Sequence, residues 1–168
     1  MKIKQVKARI ISNQKFNENY GRLEFASALI ASLAHAGQFV NIRVGDTLEP
    51  LLRRPLSIHG IKAGKVKIIY KIIGKATQIL ATKKPGEYLD VIGPLGRGFD
   101  YKVKAAKHIL VAGGMGVAPL VFLAQQFKSD PPLVLIGAQN KKQIICTQQF
   151  KSLRCAVKLA TDDGSIGF

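Results

Sequence analysis

Polar and apolar residues alternate from the start of the chain. In KIKQVKARII, residues 2–11, the period of two predicts a strand with one buried face. A turn-rich stretch, SNQKFNENYG, follows. GRLEFA, GQFVNIRV, RPLSIHGI, KVKIIYKII and EYLDVIG repeat the strand pattern. Gly37, Gly45, Gly60, Gly64, Gly74, Pro85-Gly86 and Gly93-Pro94 punctuate them. Many short strands with regular turn signals predict a small antiparallel barrel or sandwich. One short helix is predicted over Thr77–Lys83.

The pattern changes after a glycine-dense loop, GPLGRGFDYKVK. Apolar runs (HILVA, LVLIGA, AVKLAT) now alternate with helical segments (VAPLVFLAQQFK, KKQIICTQQFKS). β-α-β-α-β is the pattern of a parallel sheet, and three strands with two helices make half of a doubly wound domain. The change, near Asp100–Ala106, predicts two domains: a barrel over 1–101 and a partial α/β unit over 102–168. The expected fold class is thus a β-barrel plus α/β.

Hydrophobic residues form 47% of the 168 positions, enough for packed cores and against global disorder. Lys plus Arg number 26 against 10 acidic residues, a net charge of +16. Such a charge suits nucleic acid, an anionic membrane surface, an acidic protein partner or a phosphate-rich ligand. The basic residues are spread out, so a basic tail is not the explanation. Trp is absent and Phe and Tyr are scattered, so no stacking platform for single-stranded nucleic acid is visible. No nucleic-acid partner is expected, although a nucleic-acid-binding barrel is the rival that the charge suggests.

Cys146 and Cys155 match no metal-knuckle or Cys-x-x-Cys spacing and read as small buried hydrophobes in a reducing, cytoplasmic setting. The N-terminus lacks the apolar core of a signal peptide, and no apolar run reaches transmembrane length, so no membrane insertion is expected. His35, His59 and His108 lie in unrelated contexts and read as structural or surface residues.

Four stretches carry chemistry. LLRRPLSIHG sets Arg53 and Arg54 beside Pro55; proline belongs where a strand does not pair, and arginine offers a planar fork suited to phosphate. LVAGGMGVAPL is a strand, then Gly113, Gly114, Met115 and Gly116, then a helix with Pro119 in its first turn. It reads either as a phosphate-binding turn or as a tight strand–helix connection. LATDDGS puts Asp162 and Asp163 at the carboxyl end of a strand, as ligands to a bound molecule or as turn and cap residues. IIYKIIGKATQIL places Tyr70 and Lys71 on a strand and Ala76-Thr77 at a helix start, where Thr77 is a cap and the amides suit a second phosphate.

Taken in order, GQFV, RRPLSI, YKIIGKAT, GPLGRGF, LVAGGMGVAPL and ATDDGS resemble the ferredoxin–NADP reductase superfamily. Within it they resemble the electron-transfer subunits of bacterial dihydroorotate dehydrogenase. The resemblance covers nearly the whole chain. It implies an FAD-dependent oxidoreductase subunit that passes electrons between a catalytic dihydroorotate dehydrogenase subunit, in a hetero-oligomer, and NAD. Rivals are another flavin subunit of the superfamily, of ferredoxin:NADP oxidoreductase or sulfhydrogenase type, and a non-catalytic docking remnant.

The resemblance also implies roles. Arg54 would contact the FAD pyrophosphate, and Pro55 would keep its strand unpaired on that side. Leu56 and Ser57 would lie along the isoalloxazine, Ser57 at the edge that exchanges hydride. Ile69, Tyr70 and Lys71 would line the ribityl and adenine side, Ala76 and Thr77 would offer amides to the pyrophosphate, and Gly113, Gly114 and Gly116 would form the NAD phosphate turn. Asp162 and Asp163 would meet the adenosine ribose of NAD. Two departures stand out: the family's Tyr-Arg is Tyr70-Lys71, and its Gly-Thr is Ala76-Thr77. The family pattern also continues into the rest of the NAD domain and a cysteine cluster for a [2Fe–2S] centre. Such a centre needs four thiolates, so this chain by itself is not expected to hold it.

Overall fold

The computed structural model describes residues 2–17, 19–45, 49–103 and 107–167. The chain divides into two compact units, 1–98 and 99–168. Lys104–Ala106, in the predicted boundary stretch, lie outside the described residues.

Unit 1 is a closed antiparallel barrel. Its strands are β1 (Lys4–Lys15), β2 (Tyr20–Ala26), β3 (Phe39–Arg43), β4 (Arg54–Lys62), β5 (Lys65–Lys71) and β6 (Tyr88–Leu95). Their order around the barrel is β1-β2-β5-β4-β3-β6. Alternation along each strand sends one side-chain set inward. Leu23, Phe25, Val40, Ile42, Ile58, Val66, Ile68 and Val91 are fully buried there. Burying each such side chain is worth roughly 1.5–3 kcal/mol.

Three local features differ from the sequence expectation. β1 runs on through SNQK, because Asn13, Gln14 and Lys15 pair with Leu23, Arg22 and Gly21; the stacked rings of Phe16 and Tyr20 close the hairpin. A short helix, α1 (Ala28–Leu33), was not anticipated. It is too short to show a period, and it forms because the Ser27 hydroxyl accepts the Ile30 amide at 3.2 Å while Ile30 is fully buried. The next helix, α2, spans Lys75–Thr82 and starts two residues before Thr77.

Unit 2 is a three-stranded parallel sheet in the order β7-β8-β9: β7 (Ile109–Gly113), β8 (Leu133–Ala138) and β9 (Ala156–Thr161). Helix α3 (Val117–Ala124) buries every residue but Pro119. The stretch KKQIICTQQFKS is not one helix. A single 3-10 turn (Lys141–Gln143) is followed by a break and α4 (Thr147–Ser152). The break falls at Cys146, with φ +66°. A residue with positive φ cannot continue a right-handed helix, and Ile145 and Cys146 are both buried at this break. Among the described residues no helix is long and apolar enough to cross a membrane.

Candidate functional site

The ladder between β4 and β5 runs from Lys62↔Lys65 to Ile58↔Ile68 and stops. Beyond it, Arg54–Ser57 have registered partners only on β3, and Ile69–Lys71 only on β2. The barrel therefore has a split whose two lips are the stretches singled out in the sequence. Ile58 donates its amide to the Gln38 carbonyl at 3.0 Å. Main-chain groups alternate in direction along an antiparallel strand, so those of Leu56 and Arg54 also turn to β3. The missing donor of Pro55 falls on the open side, where a proline leaves no ladder bond unmade.

Arg54 and Leu56 lie opposite Ile42 and Val40, and Pro55 and Ser57 lie opposite Asn41 and Phe39. The four residues thus occupy alternate faces of the lip. Arg54, Leu56 and Ser57 are half-buried and Pro55 is exposed. The two arginines are not equivalent. Arg53 donates to the main-chain oxygen of Asp90 at 2.9 Å and pairs with its carboxylate. That hydrogen bond holds the Asp90 carboxyl below the usual carboxylate range. Arg54 makes no hydrogen bond or ion pair among the described residues, so its guanidinium is available to a ligand.

On the other lip, Ile69 and Tyr70 are buried and Lys71 is half-buried. The Tyr70 side chain points into the protein: its hydroxyl donates to Asn13 Oδ1 at 3.0 Å, and burial pushes its pKa up to about 12. The side chains of Ile69 and Tyr70 are core, which leaves Lys71 as the polar side chain of this lip.

Helix α2 follows this lip directly. Its N-cap is Gly74, not Thr77. Thr77 stands at the third helical position, where its hydroxyl accepts the amides of Ile73 (3.1 Å) and Gly74 (3.2 Å). The first backbone bond of the helix is Gln78 to Gly74, so the amides of Lys75, Ala76 and Thr77 have no helical acceptor. They form the positive end of the helix dipole. Lys75 pairs with Glu49, tying this end to the segment that leads into β4. Ala76 is 4% exposed, so the methyl that replaces the family glycine packs inward.

In unit 2 the three strands end on one edge, which carries the glycine turn and the aspartates. A side-chain carbon built at Gly113, Gly114 or Gly116 meets no atom within 4 Å. Gly114 has φ +50° and needs glycine for its backbone. Gly113 and Gly116 have ordinary dihedrals, so the open space beside them is what distinguishes them. Asp162 and Asp163 donate their amides to the carbonyls of Ala138 and Gln139 at 3.0 and 3.2 Å. The carboxylate of Asp163 accepts the Ser165 amide at 2.9 Å, a turn role; hydrogen bonding from Ser165 holds it below the usual carboxylate range. The Asp162 carboxylate accepts no hydrogen bond among the described residues and is exposed.

A dihydroorotate dehydrogenase B electron-transfer subunit from Desulforamulus reducens is 42% identical over 165 residues, 96% of this chain and 63% of that protein. Its counterpart from Bacillus pumilus is 36% identical, covering 98% of this chain and 66% of that protein. Among solved structures, an NADH-dependent reduced ferredoxin–NADP oxidoreductase superposes with a TM-score of 0.82 at 29% identity, over 97% of this chain and 59% of its own. The chain is similar to the dihydroorotate dehydrogenase B electron-transfer subunits and shares its fold with the ferredoxin–NADP oxidoreductase. It spans slightly under two-thirds of the length of these relatives. No family model matches the chain. The superfamily fold is also seen in the ferredoxin–NADP⁺ reductase of Plasmodium falciparum, at a TM-score of 0.77 and 14% identity.

Sequence reasoning did not single out Asn13, Lys75 or Asp90. Their roles rest on partners at least 26 residues away, which no local pattern displays.

Proposed function

We propose that the chain is the flavin-binding part of an electron-transfer subunit, taking electrons from a catalytic partner that oxidises dihydroorotate and delivering them to NAD. The observation that carries this reading is the split between β4 and β5, in a chain 42% identical to a subunit of that name. FAD fits the split. Arg54 offers an unpaired guanidinium, Lys71 a second cation, and the first turn of α2 three amides without helical acceptors. All are donors suited to a pyrophosphate. FAD, when bound, supplies hydride exchange with a nicotinamide and single-electron exchange with a partner.

The chain's residues bind and orient. Arg54 holds the pyrophosphate together with the amides of Ala76 and Thr77. Leu56 supplies an apolar contact to the ring, and Pro55 keeps the lip open. The Ser57 hydroxyl, without a partner among the described residues, is the donor beside the ring edge. Ile69 and Tyr70 contribute main chain and shape rather than side-chain contacts, and Lys71 supplies charge. In unit 2, Gly113, Gly114 and Gly116 let the NAD phosphates approach the main chain, and Asp162 meets the adenosine ribose, with Asp163 shaping the turn that presents it.

An iron–sulfur centre does not fit this chain. It needs four thiolates; the chain has two cysteines, and both are buried. Among the described residues no three His, Cys, Asp or Glu side chains cluster as metal ligands. The partner is a catalytic subunit in a cytoplasmic hetero-oligomer, and part of the +16 charge faces it or the polyanionic cofactors. The test is to purify the chain and titrate it with FAD. Visible flavin absorption that co-elutes with the protein supports the reading. A chain that binds no flavin after expression with excess riboflavin overturns it.

A further inference from the structure

A polar strut runs through the barrel, and the flavin site described above leaves it unassigned. β1 carries an irregularity between Ile10 and Ser12: Ile10 pairs with Phe25 and Ser12 with Glu24, so Ile11 is an extra residue. A bulge shifts the inward set of a strand by one. Strict alternation from Ala8 and Ile10 would turn Ser12 inward; instead Asn13, opposite the fully buried Leu23, faces the interior.

There Asn13 bridges two elements. Its Nδ2 donates to the carbonyls of Leu80 (2.7 Å) and Lys83 (2.9 Å), in the last turn and at the C-cap of α2. Its Oδ1 accepts the Tyr70 hydroxyl of β5 at 3.0 Å. The Tyr70 ring is held in turn: it lies against Gly21, its cross-strand partner, where a Cβ would come within 2.2 Å of the ring. α2 is only eight residues, about 12 Å long. A short rigid rod held at one end is aimed at the other.

We propose that Asn13 is a positioning residue of the flavin site. By clamping the C-terminal carbonyls of α2 to Tyr70, it aims the free amides of Lys75, Ala76 and Thr77 at the pyrophosphate, while touching no ligand itself. This inference rests on the flavin reading. It assigns to Tyr70 a role behind the lip, opposite to the direction in which a lining residue would face.

The test compares FAD with riboflavin, which has the same ring but no pyrophosphate. Asn13→Asp keeps the size and the acceptor for Tyr70 but replaces both donors with a carboxylate facing two carbonyls. FAD affinity is expected to fall about tenfold while riboflavin affinity stays within about twofold, since only the pyrophosphate contact is displaced. Amide hydrogen exchange in α2 should accelerate, with the β2–β5 ladder unchanged. Tyr70→Phe, which removes one bond and leaves the clamp on α2, is expected to weaken FAD about threefold with riboflavin unmoved. It decides the matter where Asn13→Asp does not fold. Equal losses of FAD and riboflavin, or unchanged FAD affinity, overturn the positioning role alone. A wild-type chain that binds neither flavin overturns the site reading and this proposal with it.

Discussion

Arg53 and Asp90 are joined twice, from guanidinium to main-chain oxygen and from guanidinium to carboxylate, across 37 residues of sequence. Arg54, the next residue, joins neither. Arg53 stands just before β4 and Arg54 opens it, so one arginine of the pair is a brace of the barrel while the other makes no hydrogen bond or ion pair among the described residues.

The two arginines should therefore separate stability from binding. Arg53→Ala is expected to lower stability by about 1 kcal/mol, in line with a partly exposed ion pair supported by hydrogen bonds. Arg54→Ala should leave stability within about 0.5 kcal/mol and weaken FAD by about 1.5–3 kcal/mol, as expected for a lost charge-assisted contact. Thermal melts and the flavin-to-protein ratio measure the two. A stable Arg54→Ala protein with full flavin content would remove Arg54 from the site.

Acid should act on the same brace. The carboxyl of Asp90 is held low chiefly by the hydrogen bond from Arg53, against a smaller opposing effect of burial. Its folded-state pKa lies below its unfolded one. The stabilisation is thus complete above the ordinary Asp range, near about 3.9, and is lost as pH falls through the lowered folded value. Asp90→Asn is expected to be less stable than wild type at neutral pH, and the difference should shrink on acidification below about pH 4. Denaturant melts across that range check it; a gap that stays constant down to the acid limit contradicts the assignment.

The glycine turn offers a test in which stability and binding move apart. Gly113→Ala and Gly116→Ala introduce a methyl into open space on ordinary backbone, so stability should hold or rise by about 0.4–1 kcal/mol. NADH affinity should fall, because the methyl occupies the path of the phosphates. Gly114→Ala at φ +50° is strained and should lower stability by about 1–2 kcal/mol. If both ordinary-backbone variants bind NADH as wild type does, the turn is a connection and nothing more.

Nucleotide preference should rest on Asp162. Its free carboxylate accepts from ribose hydroxyls and repels a 2′-phosphate, so NADH is expected to bind more tightly than NADPH by at least about tenfold. Asp162→Ser should narrow that ratio. Asp163→Ala should act mainly through the turn, reducing affinity for both nucleotides alike. Binding titrations with NADH and NADPH decide; tighter NADPH binding by wild type refutes the assignment.

Charge alone should not make this a nucleic-acid-binding protein. Binding to nonspecific duplex at physiological salt is expected to be weak despite the +16 charge. Tight binding with a steep dependence of log K on log salt would restore the rival reading.

The order of the elements and the change from barrel to parallel sheet were legible in the amino-acid pattern. Alternation, Gly and Pro punctuation and apolar runs are local, and a strand's period is written in its own residues. The motif order was legible for the same reason: RPLS, YKIIGKAT and GGMG are short stretches whose chemistry does not depend on where they fold. Which groups are free depends on contacts made across the fold. Arg54 differs from Arg53 because Asp90 arrives on β6. The Tyr70 hydroxyl finds a partner inside the protein because the bulge at Ile11 of β1 turns Asn13 inward. The long helix expected over residues 141–152 is broken at Cys146, whose φ of +66° lies outside the right-handed helical region. In each case the deciding partner is distant in sequence or the deciding quantity is a backbone conformation set by packing, and neither is encoded in the spacing of nearby residues.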